Sequence, residues 1–218
     1  MSLDFNFILR NLPLFGKGLL VTVELSLLAT LFAMIWGLVV ALARMAQNRG
    51  LRTLAAGYIE LVRDTPVLVQ MYFIYFGFSM AGFGMTGFVS GLLALSLQNG
   101  GYIAEIYRAG IESISAKQVE GGKALGMSRW DVMTIIVLPQ ALVRVVPPLA
   151  NQIIVIIKDT SLVSAIAVAE LTQIGKLLTE RTAASYEVFM TIAVLYLMLT
   201  GIVSGLSRLA ERQFAIYH

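Results

Sequence analysis

Long uncharged runs organise this chain. From Leu25 to Ala43 no residue is charged, and Glu24 is the only charge from Gly18 onward. A bilayer crossing needs roughly 20 predominantly apolar residues, so this run predicts a first span. Gly50 and the arginines 44, 49 and 52 follow it. A second apolar stretch runs from about Leu54 to Phe78, with Glu60, Arg63, Asp64 and Pro66 near its start. Residues 65–104 hold no charge, which is too long for one span, and the glycines at 77, 82, 84 and 87 predict a turn inside it. The third span is therefore expected from about Phe88 to Tyr107, and the uncharged run Val188–Ser207 predicts the last. Between them, residues 145–157 lack charge but contain Pro147 and Pro148. Proline is tolerated in a first helical turn, so a helix starting near Pro147 and running to about Ser161 is expected as the fourth span. Residues 160–186, with the apolar piece Leu162–Ala169, read as a short helix or re-entrant element on the outer side.

Composition agrees with this pattern. Of 218 residues, 58% are hydrophobic and 13% charged, and the mean hydropathy is +0.81; soluble domains carry about 25% charged residues. The reading is an all-α membrane protein of about five transmembrane helices, with residues 1–218 as a single transmembrane domain. Residues 1–18 carry Asp4, Arg10 and Lys17, and the first apolar run exceeds the h-region of a signal peptide, so it is expected to stay as a span. The net charge of +3 reads as a loop bias rather than nucleic-acid binding. Arg44, Arg49, Arg52, Arg108, Lys117, Lys123, Arg129, Arg208 and Arg212 fall on one side, against Arg10, Lys17, Lys158, Lys176 and Arg181 on the other. Lys/Arg excess marks cytoplasmic loops, which puts the N-terminus outside and the C-terminus inside.

The loop between the third and fourth spans, about residues 113–130, is the most informative stretch. Ser115 with Gln118 three residues on fits a capping box, opening a helix to about Leu125. Gly126 is then placed for the left-handed residue that ends it. Trp130, Val132, Ile135 and Ile136 make a second amphipathic piece that Pro139 should stop or kink. Such a helix could lie on lipid headgroups or project to fill a groove on another protein; Leu125, Met127 and Trp130 would be its apolar anchors, and Glu120 and Lys123 could pair with groove residues.

These residues resemble the EAA loop of ABC-importer permeases, E-A-A-x3-G-x9-I-x-L-P, through Glu120, Gly126, Ile136, Leu138 and Pro139 at matching intervals. Gly121 and Gly122 stand where that family has Ala-Ala. Arg63-Asp64-Thr65-Pro66 with Gln70 resembles the R-G-T-P-x-x-x-Q segment of the polar amino acid permeases, with Asp for the usual Gly. Tyr102–Arg108, Pro139-Gln140-Ala141 and Lys158-Asp159-Thr160-Ser161-Leu162 resemble three further segments, in the same order. The resemblance implies a membrane-spanning permease subunit of an importer for polar amino acids in a bacterial inner membrane. It implies a second permease, identical or homologous, a cytosolic ABC ATPase dimer gripping each loop through Glu120–Met127 (Gly121, Gly122, Lys123, Ala124, Leu125 and Gly126 included), and an extracytoplasmic solute-binding protein. ATP and Mg would bind the partner. No G-x-x-x-x-G-K-[ST] phosphate loop occurs here, since Gly175-Lys176 lacks the following hydroxyl and the upstream Gly. No cofactor or metal is expected in this chain, and it is not expected to be an enzyme.

Polar residues at membrane depth are costly and often functional. Glu60, Arg63, Asp64, Gln70, Asn99, Asp159 and Ser161 are the candidates for a substrate path, with Glu24 and Asn151 also in or near spans. Glu60 and Arg63, at i and i+3, could equally pair with each other, and snorkelling or ion pairing suits Asp64 and Asp159. Gly87-x-x-x-Gly91 and Gly201-x-x-x-Gly205 could pack spans across a dimer. Two other classes compete. An intramembrane enzyme is poorly supplied, because His218 is the only histidine and there is no cysteine. A stand-alone secondary transporter or channel for small polar solutes would need no ATPase.

Overall fold

The computed structural model describes residues 4–215, with side chains to residue 209; Arg212 and His218 of the charge and histidine readings lie outside the described side chains. Among the described residues every regular element is helical: α1 (Phe5–Arg44), α2 (Arg49–Asp64), α3 (Val67–Met80), α4 (Gly87–Glu112), α5 (Ala116–Ala124), α6 (Arg129–Ile166), α7 (Leu171–Thr182) and α8 (Ser185–Ala215).

The first helix is far longer than its uncharged run. Its 40 residues reach about 60 Å, twice a bilayer's ~30 Å hydrocarbon core. Asp4 caps it by accepting the Phe7 N–H. One face carries Gly18, Thr22, Ser26, Ala29, Ala33, Gly37 and Ala41, all buried. Leu20, Leu27, Leu31, Ile35, Leu38 and Leu42 point outward. Small residues inside and large apolar ones outside invert the soluble-protein pattern. That arrangement suits a lipid surround, where close backbone approach rather than water exclusion joins helices.

Among the described residues three helices, α1, α6 and residues 185–209 of α8, are long and apolar enough to cross a membrane. The fourth helix is central instead. It packs against α1, α2, α3 and α6, and its buried face holds Ser96, Gln98, Asn99, Gly100 and Gly101. Surrounded by protein, it can carry polar groups that a lipid-facing helix could not. The main core joins Leu25 and Ala33 of α1, Met71 of α3, Leu95 and Ile103 of α4 and Ile156 of α6. A second cluster ties the start of α1 through Phe15 to Leu171, Leu178 and Val188 at the opposite end from α5.

Four sequence expectations change. The apolar stretch Leu54–Phe78 is broken at Thr65–Pro66, because the residue before a proline is pushed out of the α region and Thr65 is extended. Residues 49–64 form a separate amphipathic helix. The fourth span does not start near Pro147: α6 begins at Arg129 and runs unbroken to Ile166, with both prolines inside it. Pro139 likewise neither stops nor visibly ends the helix. A π turn over Val132–Val137 precedes it, and Pro139 enters the α-helical register at its first turn, where its missing N–H matters least. Finally, Gly87 and Gly91 are used within the chain, against Ile166 and Val163, so they are not a free dimer face; Gly201 and Gly205 face open space.

Candidate functional site

The fifth helix stands clear of the bundle on a fixed base. Ser115 occupies its N-cap position but makes no side-chain cap bond, so the box expected with Gln118 does not form. The box forms one loop later. Ser128 Oγ accepts the Asp131 N–H at 3.1 Å, and Asp131 returns a carboxylate oxygen to the Ser128 N–H at 3.2 Å. The C-terminus follows the expectation. Gly126 has φ +80°, its N–H reaches the Lys123 carbonyl at 3.0 Å, and the Met127 N–H reaches the Gly122 carbonyl at 3.1 Å. That pair of bonds is a Schellman closure.

Beneath the helix, Ile114, Val132 and Val137 form a small buried cluster joined by Ile111, Val119 and Met127. Gly122 faces this cluster and Gly121 faces away. What remains outward is Glu120, Lys123, Ala124 and two large apolar side chains, Leu125 at 85% and Trp130 at 75% exposed. Two large apolar side chains so exposed, beside charges that make no ion pair among the described residues, form a surface that water alone does not explain.

The second feature is an open cleft of about 510 Å³ between α2, α4 and α6, lined by Arg63, Tyr102, Glu105, Ser113, Arg144 and Gln152 among others. The Arg63 guanidinium lies 5.2 Å from the Tyr102 ring centroid, within cation–π range. It does not pair with Glu60, which is exposed like Asp64. Glu105 is held by Arg108, at 2.6 Å, and Arg108 also binds Glu112.

The remaining candidates separate. Gln70 commits its amide N–H groups to the Val62 carbonyl at 3.0 Å and to the Thr65 carbonyl and hydroxyl at 3.2 and 2.7 Å. Gln98 adds a bond to the same Thr65 carbonyl. These amides close the end of α2 across the break. Asn99, 1% exposed, donates to the Leu95 carbonyl and accepts from Gln152 Nε2 at 2.6 Å, joining α4 to α6 beside the cleft. Asp159 and Ser161 sit at the other end of α6, where the Ser161 hydroxyl donates to the Lys158 carbonyl. Of the candidates named from the sequence, Arg63 therefore lines the cleft and Asn99 lies next to it. Tyr102, Glu105, Arg144 and Gln152 were not among those candidates.

Comparison with known proteins fits this architecture. Residues 5–214 match the family described as the binding-protein-dependent transport system inner membrane component. The chain is 37% identical over 218 residues to the glutamine transport system permease protein GlnP of Escherichia coli (strain K12), covering 99% of this chain and 100% of that one. It is 34% identical to the nopaline transport system permease protein NocM of Agrobacterium fabrum, covering 96% and 91%. Among solved structures, an amino acid ABC transporter superposes with a TM-score of 0.93 at 35% identity, covering 98% of this chain and all of that one. The MetNI methionine ABC transporter shares the fold, with a TM-score of 0.78 at 18% identity over 94% and 98% of the chains. The chain belongs to the family of binding-protein-dependent transport system inner membrane components, as an ABC-transporter permease of the inner membrane.

Proposed function

We propose that this chain forms the translocation path of an ATP-driven importer for polar amino acids and docks a cytosolic ABC ATPase dimer through Glu120–Met127. The observation that carries the reading is the pair Leu125 and Trp130, exposed on a loop whose base is clamped by Ile114, Val132 and Val137. The naming of its relatives as glutamine and nopaline permeases supports the polar amino acid class. The complex holds a second permease, identical or homologous, and an extracytoplasmic solute-binding protein; the bilayer lipid surrounds it, and nucleic acid has no part. Five spans, α1, α3, α4, α6 and α8, are assigned, with the N-terminus outside and α5 in the cytosol.

The mechanism follows from linkage. ATP closes the ATPase dimer with different affinity for two permease states, and so shifts their populations. A helix gripped by the ATPase carries the spans attached to it as a rigid body. Glu60, Arg63, Asp64, Asn99, Asp159 and Ser161 are proposed along the substrate path, with Gln70 holding the end of α2 instead of touching the solute. Arg63 is assigned the solute carboxylate because it lines the cleft, and a guanidinium binds a carboxylate through a planar fork.

The test is uptake of labelled glutamine by proteoliposomes holding the chain, its ATPase and its binding protein. Uptake should require ATP and disappear with Glu120→Lys. Uptake by the chain alone without ATP would overturn the reading in favour of a stand-alone transporter.

A further inference from the structure

The central helix α4 and the helix that follows the loop, α6, pack tightly just before the loop begins. A β-carbon on Gly110 would lie 2.2 Å from Val145 Cγ1 and 3.5 Å from the Ala141 carbonyl oxygen, so only glycine permits this approach. Next to Val145, Arg144 donates from Nη1 to the Ser113 carbonyl at 2.5 Å and to Ser113 Oγ at 2.8 Å. That hydroxyl in turn donates to the Gly110 carbonyl at 2.6 Å. Ser113 is the C-terminal cap residue of α4, where helix carbonyls lack onward partners and a cation meets the negative end of the helix dipole. Arg144 therefore satisfies acceptors that the helix itself leaves open, and it does so from a position 31 residues along the chain.

The apolar cluster of Ile114, Val132 and Val137 lies on the loop side of this tie, and none of its members comes from α1, α2 or α3. Arg144, Ser113 and Gly110 themselves line the cleft, with Arg63, Tyr102 and Gln152. The tie is thus part of the cleft wall at the end next to the base of the exposed loop. We infer that Arg144 is a positioning residue for coupling: its bonds to Ser113 hold α4 and α6 together as one lever. Displacement of α5 then reaches the cleft instead of being absorbed by hinging at the loop base. The inference rests on the reading of α5 as an ATPase dock. Without the tie, the ATPase still grips α5 and still hydrolyses ATP, but the two helices part at Ser113 and the stroke is lost.

The experiment uses the whole reconstituted complex and reads glutamine taken up per ATP hydrolysed. Arg144→Ala should lower that ratio by about fivefold, with ATP hydrolysis and the amount of copurified ATPase at the wild-type level. Arg144→Lys, which keeps a cation but presents a single point donor, should fall between. Ser113→Ala should cost less than Arg144→Ala, because the carbonyl acceptor remains. Faster amide exchange confined to residues 110–115 in Arg144→Ala would support loss of the tie in a folded protein. An unchanged ratio in Arg144→Ala overturns the inference. So does a fall in which uptake, hydrolysis and bound ATPase decline together, since that is loss of fold. A wild-type complex without ATP-dependent uptake overturns the docking reading and this inference with it, whereas normal wild-type uptake with normal coupling in Arg144→Ala overturns this inference alone.

Discussion

Met127 closes the helix that Gly122 belongs to, and it does so twice. Its N–H bonds the Gly122 carbonyl at 3.1 Å, and its sulfur lies 3.3 Å from where a β-carbon on Gly122 would stand. Between them Gly126 turns the chain at φ +80°, where an L side chain costs about 1–2 kcal/mol. Gly126→Ala is therefore expected to loosen the last turn of α5. Amide exchange across residues 116–127 should accelerate by about tenfold, with the transmembrane core unchanged.

Gly121 and Gly122 should respond differently to alanine. Each Gly costs a helix about 1 kcal/mol relative to Ala. Nothing lies within 4 Å of a β-carbon on Gly121, so Gly121→Ala should slow exchange in α5. On Gly122 the new carbon would meet Ile136 Cδ1 at 2.7 Å and Val132 Cγ2 at 3.1 Å. The Ile136 tip can swing aside, but the two contacts together offset the helical gain at roughly 1 kcal/mol or more. Gly122→Ala should thus show no stabilisation, and greater protection in Gly122→Ala than in Gly121→Ala would contradict the packing described.

Leu125 and Trp130 are exposed enough that truncating either should leave the isolated chain's Tm unchanged. Central aromatic and apolar anchors of interfaces are worth about 2 kcal/mol or more. Trp130→Ala should therefore weaken ATPase binding by about thirtyfold, measured by titrating purified ATPase onto nanodisc-embedded chain.

Gln70 separates structure from transport. Its amide closes the α2 end through three bonds, and a buried carbonyl left without its donor costs about 1–3 kcal/mol. Gln70→Met should lower Tm by about 3–8 °C while the KM for uptake stays the same. A raised KM at unchanged Tm would place Gln70 on the solute instead.

Much of this was legible because it is local. The left-handed Gly126 follows from its position after a helical run, and the turn near Gly82 from four glycines in a short uncharged window. Local rules also misled. Ser115 with Gln118 reads as a capping box that does not form, and the box forms at Ser128, where Asp131 reaches back. Pro147 and Pro148 read as a helix start, yet α6 carries them inside; in a membrane helix, neighbouring helices and side chains re-satisfy the backbone groups that such prolines free. Of the cleft, only Arg63 and its neighbour Asn99 were legible. Arg144 meets Ser113 across 31 residues and Gln152 meets Asn99 across 53, and no spacing rule reports contacts at that range.

The most direct test of the central claim uses the lack of native cysteine. A single Lys123→Cys on the exposed face of α5 can carry a thiol-linked photo-cross-linker in the assembled complex, with Thr182→Cys, at the opposite end of the bundle, as its counterpart. The docking account predicts an adduct with the ATPase from residue 123 and none from residue 182. ATPase adducts from residue 182, or none from residue 123 in a complex that hydrolyses ATP, would contradict it.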